Sequence, residues 1–254
     1  MIMPSPVSLA AASTVLGLAL FLSPSGLKAS ELKVIAGGSM TTALNQLGPE
    51  FERATGHKLT IHFDSTPNII KQVTSGEPVD LGVVPVDVFK DAAAKARFGP
   101  TIDIARVGYG VAIRAGAPKP DVSTSDALKK TLLDAKSIAY LPSSAAGAYV
   151  TGVFERLGIA EAMKAKTKVQ TSTTAIPQAV AKGEAELGVF LTNVLIAPDV
   201  ELAGSFPKEL QQELVFTAAV ATESKNVDAA KAFIDFLRTP AAIAVLKAAG
   251  LNPG

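Results

Sequence analysis

The sequence predicts an α/β protein of two lobes, each a mixed, mainly parallel sheet flanked by helices, with a hinge between the lobes. Three observations predict it. Short apolar runs alternate with segments of helical spacing along most of the chain, the pattern of strands buried on both faces beneath helices. At four places a strand ends in small or hydroxyl residues and a helix follows at once. Two extended stretches, within 106–114 and 216–221, are placed to carry the chain out of one lobe and back again. The expected division is therefore 31–108 with 217–254 as the first lobe and 109–216 as the second.

The elements follow in order. Leu32–Ala36 is a short apolar strand that breaks on Gly37 and Gly38, and Ser39 is expected to cap a helix running through Phe51. Lys58–Phe63 alternates as a strand. Thr66 before Pro67 reads as a helix cap with proline in the first turn. Gly76-Glu77-Pro78 ends that helix, Val79–Val84 is a third strand, and 85–96 is expected to be helical. Ile102–Arg114 is one extended run in which Gly108 and Gly110 permit a bend. Helices are then expected at 123–133, at 148–157, after the run 171–177 up to Gly183, at 227–237 and at 241–249. Strands are expected at 137–141, 168–170, 186–191 and 214–220.

Composition narrows the function. The 24 basic and 23 acidic residues of the 254 nearly cancel, so the chain carries no nucleic-acid footprint. Aromatic residues are 6% and Trp is absent, which leaves little for stacking sugars or bases. The apolar run 7–22 ends at Ser23-Pro24-Ser25-Gly26 and reads as an export signal, so residues 1–30 are expected to be a signal peptide and the mature chain periplasmic. With 0 Cys there is no disulfide, no thiolate chemistry and no lipid-modified cysteine.

The four strand–turn–helix junctions centre on Ser39, on Ser65 and Thr66, on 143–146 and on 174–176, two in each expected lobe. A helix starting at the carboxyl end of a strand presents free N–H groups and a partial positive charge there. If all four face one cleft, their N–H groups and hydroxyls suit an oxyanion or a carboxylate. Taken singly, each is simply a helix cap. Enzymatic readings find less support. His57 and His62 flank one strand without a metal-binding spacing, and no Gly-x-Ser-x-Gly elbow or dinucleotide fingerprint is present. No metal ligand set, no cofactor and no catalytic residue is expected. Asp64 stands just before the second turn, either bracing it or facing the cleft.

On these residues the chain resembles a type II periplasmic binding protein of an ABC importer, nearest the molybdate-binding family. The resemblance rests on Ala36–Leu44, Phe51–Gly56, Phe63–Thr66, Gly76–Leu81, Ala145–Tyr149, Ala179–Val189 and Lys231–Leu237. It implies a monomeric binding protein that takes a small ligand, leading with molybdate or tungstate, and passes it to an ABC permease. Carried over residue by residue, it places ligand-binding groups at Ser39, Ser65, Thr66, Ala146, Ile176 and Thr192. Leu191 stands where the family often has a tyrosine, and Asp64 where it usually has a small neutral residue. The alternative cargo is a small organic carboxylate or zwitterion, and the alternative role a solute-sensing domain of the same fold.

Overall fold

A computed structural model describes residues 29–254, so the expected signal segment lies, apart from its last two residues, outside the described residues. In chain order the elements are β1 (Glu31–Gly37), α1 (Thr41–Thr55), β2 (Lys58–Asp64), α2 (Thr66–Thr74), β3 (Leu81–Pro85), α3 (Ala92–Ala96), β4 (Ile102–Val107) and β5 (Tyr109–Arg114). Then come α4 (Ser125–Asp134), β6 (Ile138–Tyr140), α5 (Ala145–Arg156), α6 (Ala160–Lys166), β7 (Thr167–Val169), α7 (Ala175–Ala181), β8 (Leu187–Leu191) and β9 (Val200–Ser205). The chain closes with β10 (Leu214–Val220), α8 (Val227–Leu237), α9 (Pro240–Ala248) and β11 (Asn252–Pro253).

These strands form two sheets, six strands in the order β11-β4-β10-β3-β1-β2 and five in the order β7-β6-β8-β5-β9. In the first, β1 runs parallel to β2 and β3, while β10 is antiparallel to β3 and β4. In the second, β6 runs parallel to β7 and β8, while β5 is antiparallel to β8 and β9. Parallel pairing is thus concentrated where strands end in the helix-starting turns, and antiparallel pairing surrounds the strands next to the two crossings.

Helices cover both faces of the first sheet because β1 is apolar on both. Leu32, Val34 and Ala36 pack with Leu44, Leu47 and Phe51 of α1 and with Phe233 of α8. Ile35 faces the other way, onto Ile69 and Val73 of α2, with Val84, Phe98 and Ala219. Phe51, with no exposed surface, packs its ring at a tilt, 4.8 Å from that of Phe233, and contributes about 3 kcal/mol of burial. The second sheet is built likewise, with Leu128, Leu132, Val150, Phe154 and Met163 of its helices all buried.

The structure corrects several expectations. The run 102–114 is two strands in different sheets, parted at Gly108. The return falls between Ser205 and Leu214, earlier than the expected 216/217, because β10 pairs along its whole length in the first sheet. Residues 85–96 are not one helix: a 3-10 turn over Val86–Lys90 precedes α3, and Asp91 Oδ1 accepts the Ala94 N–H to restart it. Ser39 does not cap α1; it lies inside a 3-10 turn, Gly38–Met40, and the helix begins at Thr41. Thr66 is the first residue of α2 and Ser65 takes the cap position. Helix α5 starts at Ala145, three residues before the expected 148, capped by Ser144. Helix α6 and strands β9 and β11 had no counterpart in the sequence reading.

Both crossings are stitched at one place. The Thr192 N–H donates to Gly108 O at 2.9 Å. Gln211, on the return segment, accepts the Tyr109 N–H at 2.8 Å and donates to Tyr109 O at 3.0 Å, as a neighbouring strand would. Tyr109 itself is buried 4.6 Å from the Tyr149 ring, and burial pushes its phenol above the ordinary tyrosine range. Among the described residues no helix is long and apolar enough to cross a membrane.

Candidate functional site

The carboxyl ends of the parallel strands from both sheets meet at a small cavity. Its polar wall is Gly37, Gly38 and Ser39 after β1, Asp64, Ser65 and Thr66 around the end of β2, Ser144, Ala145 and Ala146 at the start of α5, and Thr173 before α7. Pro85, Leu141, Phe190, Leu214 and Phe216 close it with apolar surface. The space available to the centre of a water-sized sphere is about 20 Å³. Since one water needs roughly 10–15 Å³ on that measure, the pocket is built for a compact solute.

Each turn has a local cause. Gly37 is required by close approach: a Cβ there would lie 2.9 Å from the Phe216 ring and 3.0 Å from Pro85 Cδ. Gly147 is required more strongly, because a Cβ would lie 1.7 Å from Leu141 O, so the first turn of α5 presses directly on the strand end before it. Ser144 Oγ accepts the Gly147 N–H at 3.0 Å and donates to Leu141 O at 2.9 Å, which commits that hydroxyl to the fold. In the first sheet no side chain caps the 3-10 turn at Ser39, and none caps α2. The N–H groups in the opening turn of a helix have no acceptor within it, so Ala146 and the turn at Ser39 offer donors to whatever enters.

Contacts between the two sheets close over the cavity. Thr66 Oγ1 accepts the Ala145 N–H at 3.4 Å, and Asn193 Nδ2 donates to Ser39 O at 2.7 Å. Asn193 is buried, and its Oδ1 has no hydrogen-bond partner. Asp64 is the one charged side chain of the wall. Its Oδ1 accepts the Ser65 N–H at 2.7 Å and Asn68 Nδ2 at 2.8 Å, and Oδ2 lies 3.6 Å from His62 Nε2. The carboxylate therefore braces the second turn and also borders the cavity. Negative charge is balanced there by dipoles and no lysine or arginine lines the wall. Among the described residues no cluster of histidine and carboxylates could hold a metal ion.

Of the residues expected to bind, Ser39, Ser65, Thr66 and Ala146 stand around this cavity and Ile176 and Thr192 do not. Ile176 is fully buried, and its N–H is given to Thr173 O at 3.3 Å. The fourth turn thus presents Thr173, two residues before the helix. Thr192 is spent on the crossing, with both its N–H and its hydroxyl directed at Gly108 O. Sequence reasoning missed Asn193 and Gln211, whose roles depend on partners 154 and 102 residues away. The run Thr171-Ser172-Thr173-Thr174 was the available signal for the fourth turn.

Two sheets joined by paired crossings, with helix-starting turns of both converging on one small cavity, define a two-lobed solute-binding protein. The chain belongs to the bacterial extracellular solute-binding protein family, whose profile matches residues 32–252. It is 30% identical over 230 residues to the molybdate-binding protein ModA of Azotobacter vinelandii, covering 88% of this chain and 90% of that one. It is 29% identical over 231 residues to an aconitate isomerase of a Pseudomonas species, covering 87% of each. Among solved structures it is similar to the periplasmic molybdate-binding protein of Azotobacter vinelandii, with a TM-score of 0.73 at 22% identity over 88% of this chain and 99% of that one.

Proposed function

We propose that the protein binds a tetrahedral oxyanion, molybdate or tungstate, between its lobes and delivers it from the periplasm to an ABC permease. The observation that carries this reading is the small cavity of about 20 Å³ where both sheets meet, walled by opening-turn N–H groups and by Ser39, Ser65 and Thr66. Neutral donors hold an anion without adding a counter-charge that would slow release, and each hydrogen bond to an ion contributes about 1.5–3 kcal/mol. Ala146 supplies a backbone N–H from the second lobe, so the ligand completes its shell only when both lobes engage it. The family and the molybdate-binding relative support the same reading.

The relative named aconitate isomerase favours a second reading, in which the cargo is a tricarboxylate. A tricarboxylate is too large for the small cavity and would have to extend into the 270 Å³ space beside it, past Asp64 and Ser65. The two readings part in a thermal melt at matched ionic strength. Molybdate and tungstate are expected to raise the midpoint by the equivalent of about 3 kcal/mol at a hundredfold excess over Kd. Sulfate, phosphate and citrate are expected to leave it in place. A rise with citrate alone contradicts the oxyanion reading.

A further inference from the structure

We propose that the hinge between the lobes is confined to Gly108 on the outward crossing and to Gln212 and Glu213 on the return, with the Gln211 side chain as the clasp that confines it; this rests on the reading of the protein as two lobes that part around a solute. Val107 ends β4 and pairs with Leu214, the first residue of β10, so both crossings leave the first sheet side by side. On the outward crossing the second lobe begins at once, because Gly108 O accepts the Thr192 N–H at 2.9 Å and Tyr109 opens β5. On the return, residues 206–211 are still fastened to the second lobe. The Phe206 N–H donates to Tyr109 O at 2.9 Å, Glu209 Oε1 accepts the Ser125 hydroxyl at 2.7 Å, and Tyr149 OH donates to Leu210 O at 2.8 Å. Gln211 is the last tie, its amide paired with both the N–H and the O of Tyr109. Between it and Leu214 stand Gln212 and Glu213, both exposed.

Two short links lying side by side define one axis, and a hinge is a few residues that absorb the change in backbone angles. Gly108 gives the outward link its freedom, and the clasp occupies the space beside it: a Cβ built on Gly108 would lie 3.0 Å from Cδ, Nε2 and Oε1 of Gln211. A methyl group there crowds the seated amide at all three atoms, so the flexible side chain has to give way. The hinge is also tied to the cavity. Helix α5 carries Ala146 in the cavity wall and, one turn on, Tyr149, whose hydroxyl holds Leu210 O and accepts a hydrogen bond from Arg156 Nη2 at 2.9 Å. The second-lobe half of the cavity thus turns as one body with residues 206–211, and opening of the cleft draws on the two links.

The chain has 0 Cys, so Lys71→Cys in the first lobe and Lys168→Cys in the second, both exposed, give the full chain one nitroxide label on each lobe. Pulsed electron paramagnetic resonance then reads the spread of distances between the lobes without ligand. Gln211→Ala should widen that spread about twofold. Gln211→Glu should act alike, because its carboxylate accepts the Tyr109 N–H but cannot donate to Tyr109 O. Glycine at both 212 and 213 should widen it too, whereas Lys208→Gly, within the fastened stretch, should leave it as in the wild type. Hydrogen exchange at the Tyr109 N–H should quicken about tenfold in Gln211→Ala and in Gly108→Ala, and stay slow in Lys208→Gly. An unchanged spread in both Gln211 variants, or equal widening by Lys208→Gly, overturns the confined hinge. The labels report without ligand, so this outcome stands apart from the molybdate melt that tests the oxyanion reading.

Discussion

The turn at Ser144 and the turns at Ser39 and Ser65 look alike in sequence, yet they spend their hydroxyls in opposite ways. Ser144 Oγ caps α5 and ties back to Leu141 O. Neither the 3-10 turn at Ser39 nor α2 has a side-chain cap. Away from the cleft, Thr124 and Thr239 cap α4 and α9 as Ser144 does. The comparison teaches that a helix-starting hydroxyl which stabilises its own helix is no longer free for a ligand. At the cleft, the turns at Ser39 and Ser65 give up capping energy, about 1 kcal/mol each, and keep side-chain donors; the turn at Ser144 keeps its cap and offers backbone N–H groups.

The largest break in this comparison comes from Gly147→Ala. Its methyl group cannot share space with Leu141 O, so the second lobe should lose more than about 3 kcal/mol, read as a drop in denaturation midpoint. Ser144→Ala should cost about 1 kcal/mol in the same assay, the value of a lost cap, whereas Ser39→Ala should cost much less, because its hydroxyl caps nothing. Equal costs for the two serines would erase the distinction between the lobes.

Asp64→Asn sharpens it from the side of charge. The amide oxygen can still accept the Ser65 N–H, but one negative charge leaves the cavity wall, so oxyanion affinity should rise roughly fivefold, about 1 kcal/mol of repulsion in a water-like medium. The effect should shrink with added salt. The smallest effect is remote from the site. The Leu59 N–H, then Lys58, hold the Glu52 carboxyl below its ordinary value. A depressed folded pKa adds stability above the unfolded value and loses it as pH falls through the folded one. Glu52→Gln should therefore be slightly less stable near neutral pH, and the gap should close in acid.

Much of the fold could be read from residues that act locally. Thr66 before Pro67, the glycine breaks after β1 and the apolar face of α8 each set an element within a few positions. Strand β9 was hidden because its residues are only partly buried and do not alternate cleanly. The start of α5 was misplaced because Gly147 reads as a breaker, whereas its missing side chain is what lets that turn reach Leu141. At the site, the hydroxyls at turns were legible and their allocation was not. Whether Ile176 offers its N–H, or Thr192 its hydroxyl, depends on Thr173 O and Gly108 O, partners that only the folded chain supplies.

The most direct test of the account is calorimetric titration of molybdate into the wild type, into Ser39→Ala combined with Thr66→Ala, and into Ser144→Ala. Two hydrogen bonds to an anion, at about 1.5 kcal/mol or more each, predict at least a hundredfold loss of affinity in the double variant with its fold intact. Ser144→Ala should lose far less affinity while melting earlier. Equal affinity losses in the two variants, or none in the double variant, would contradict the division of labour between the lobes.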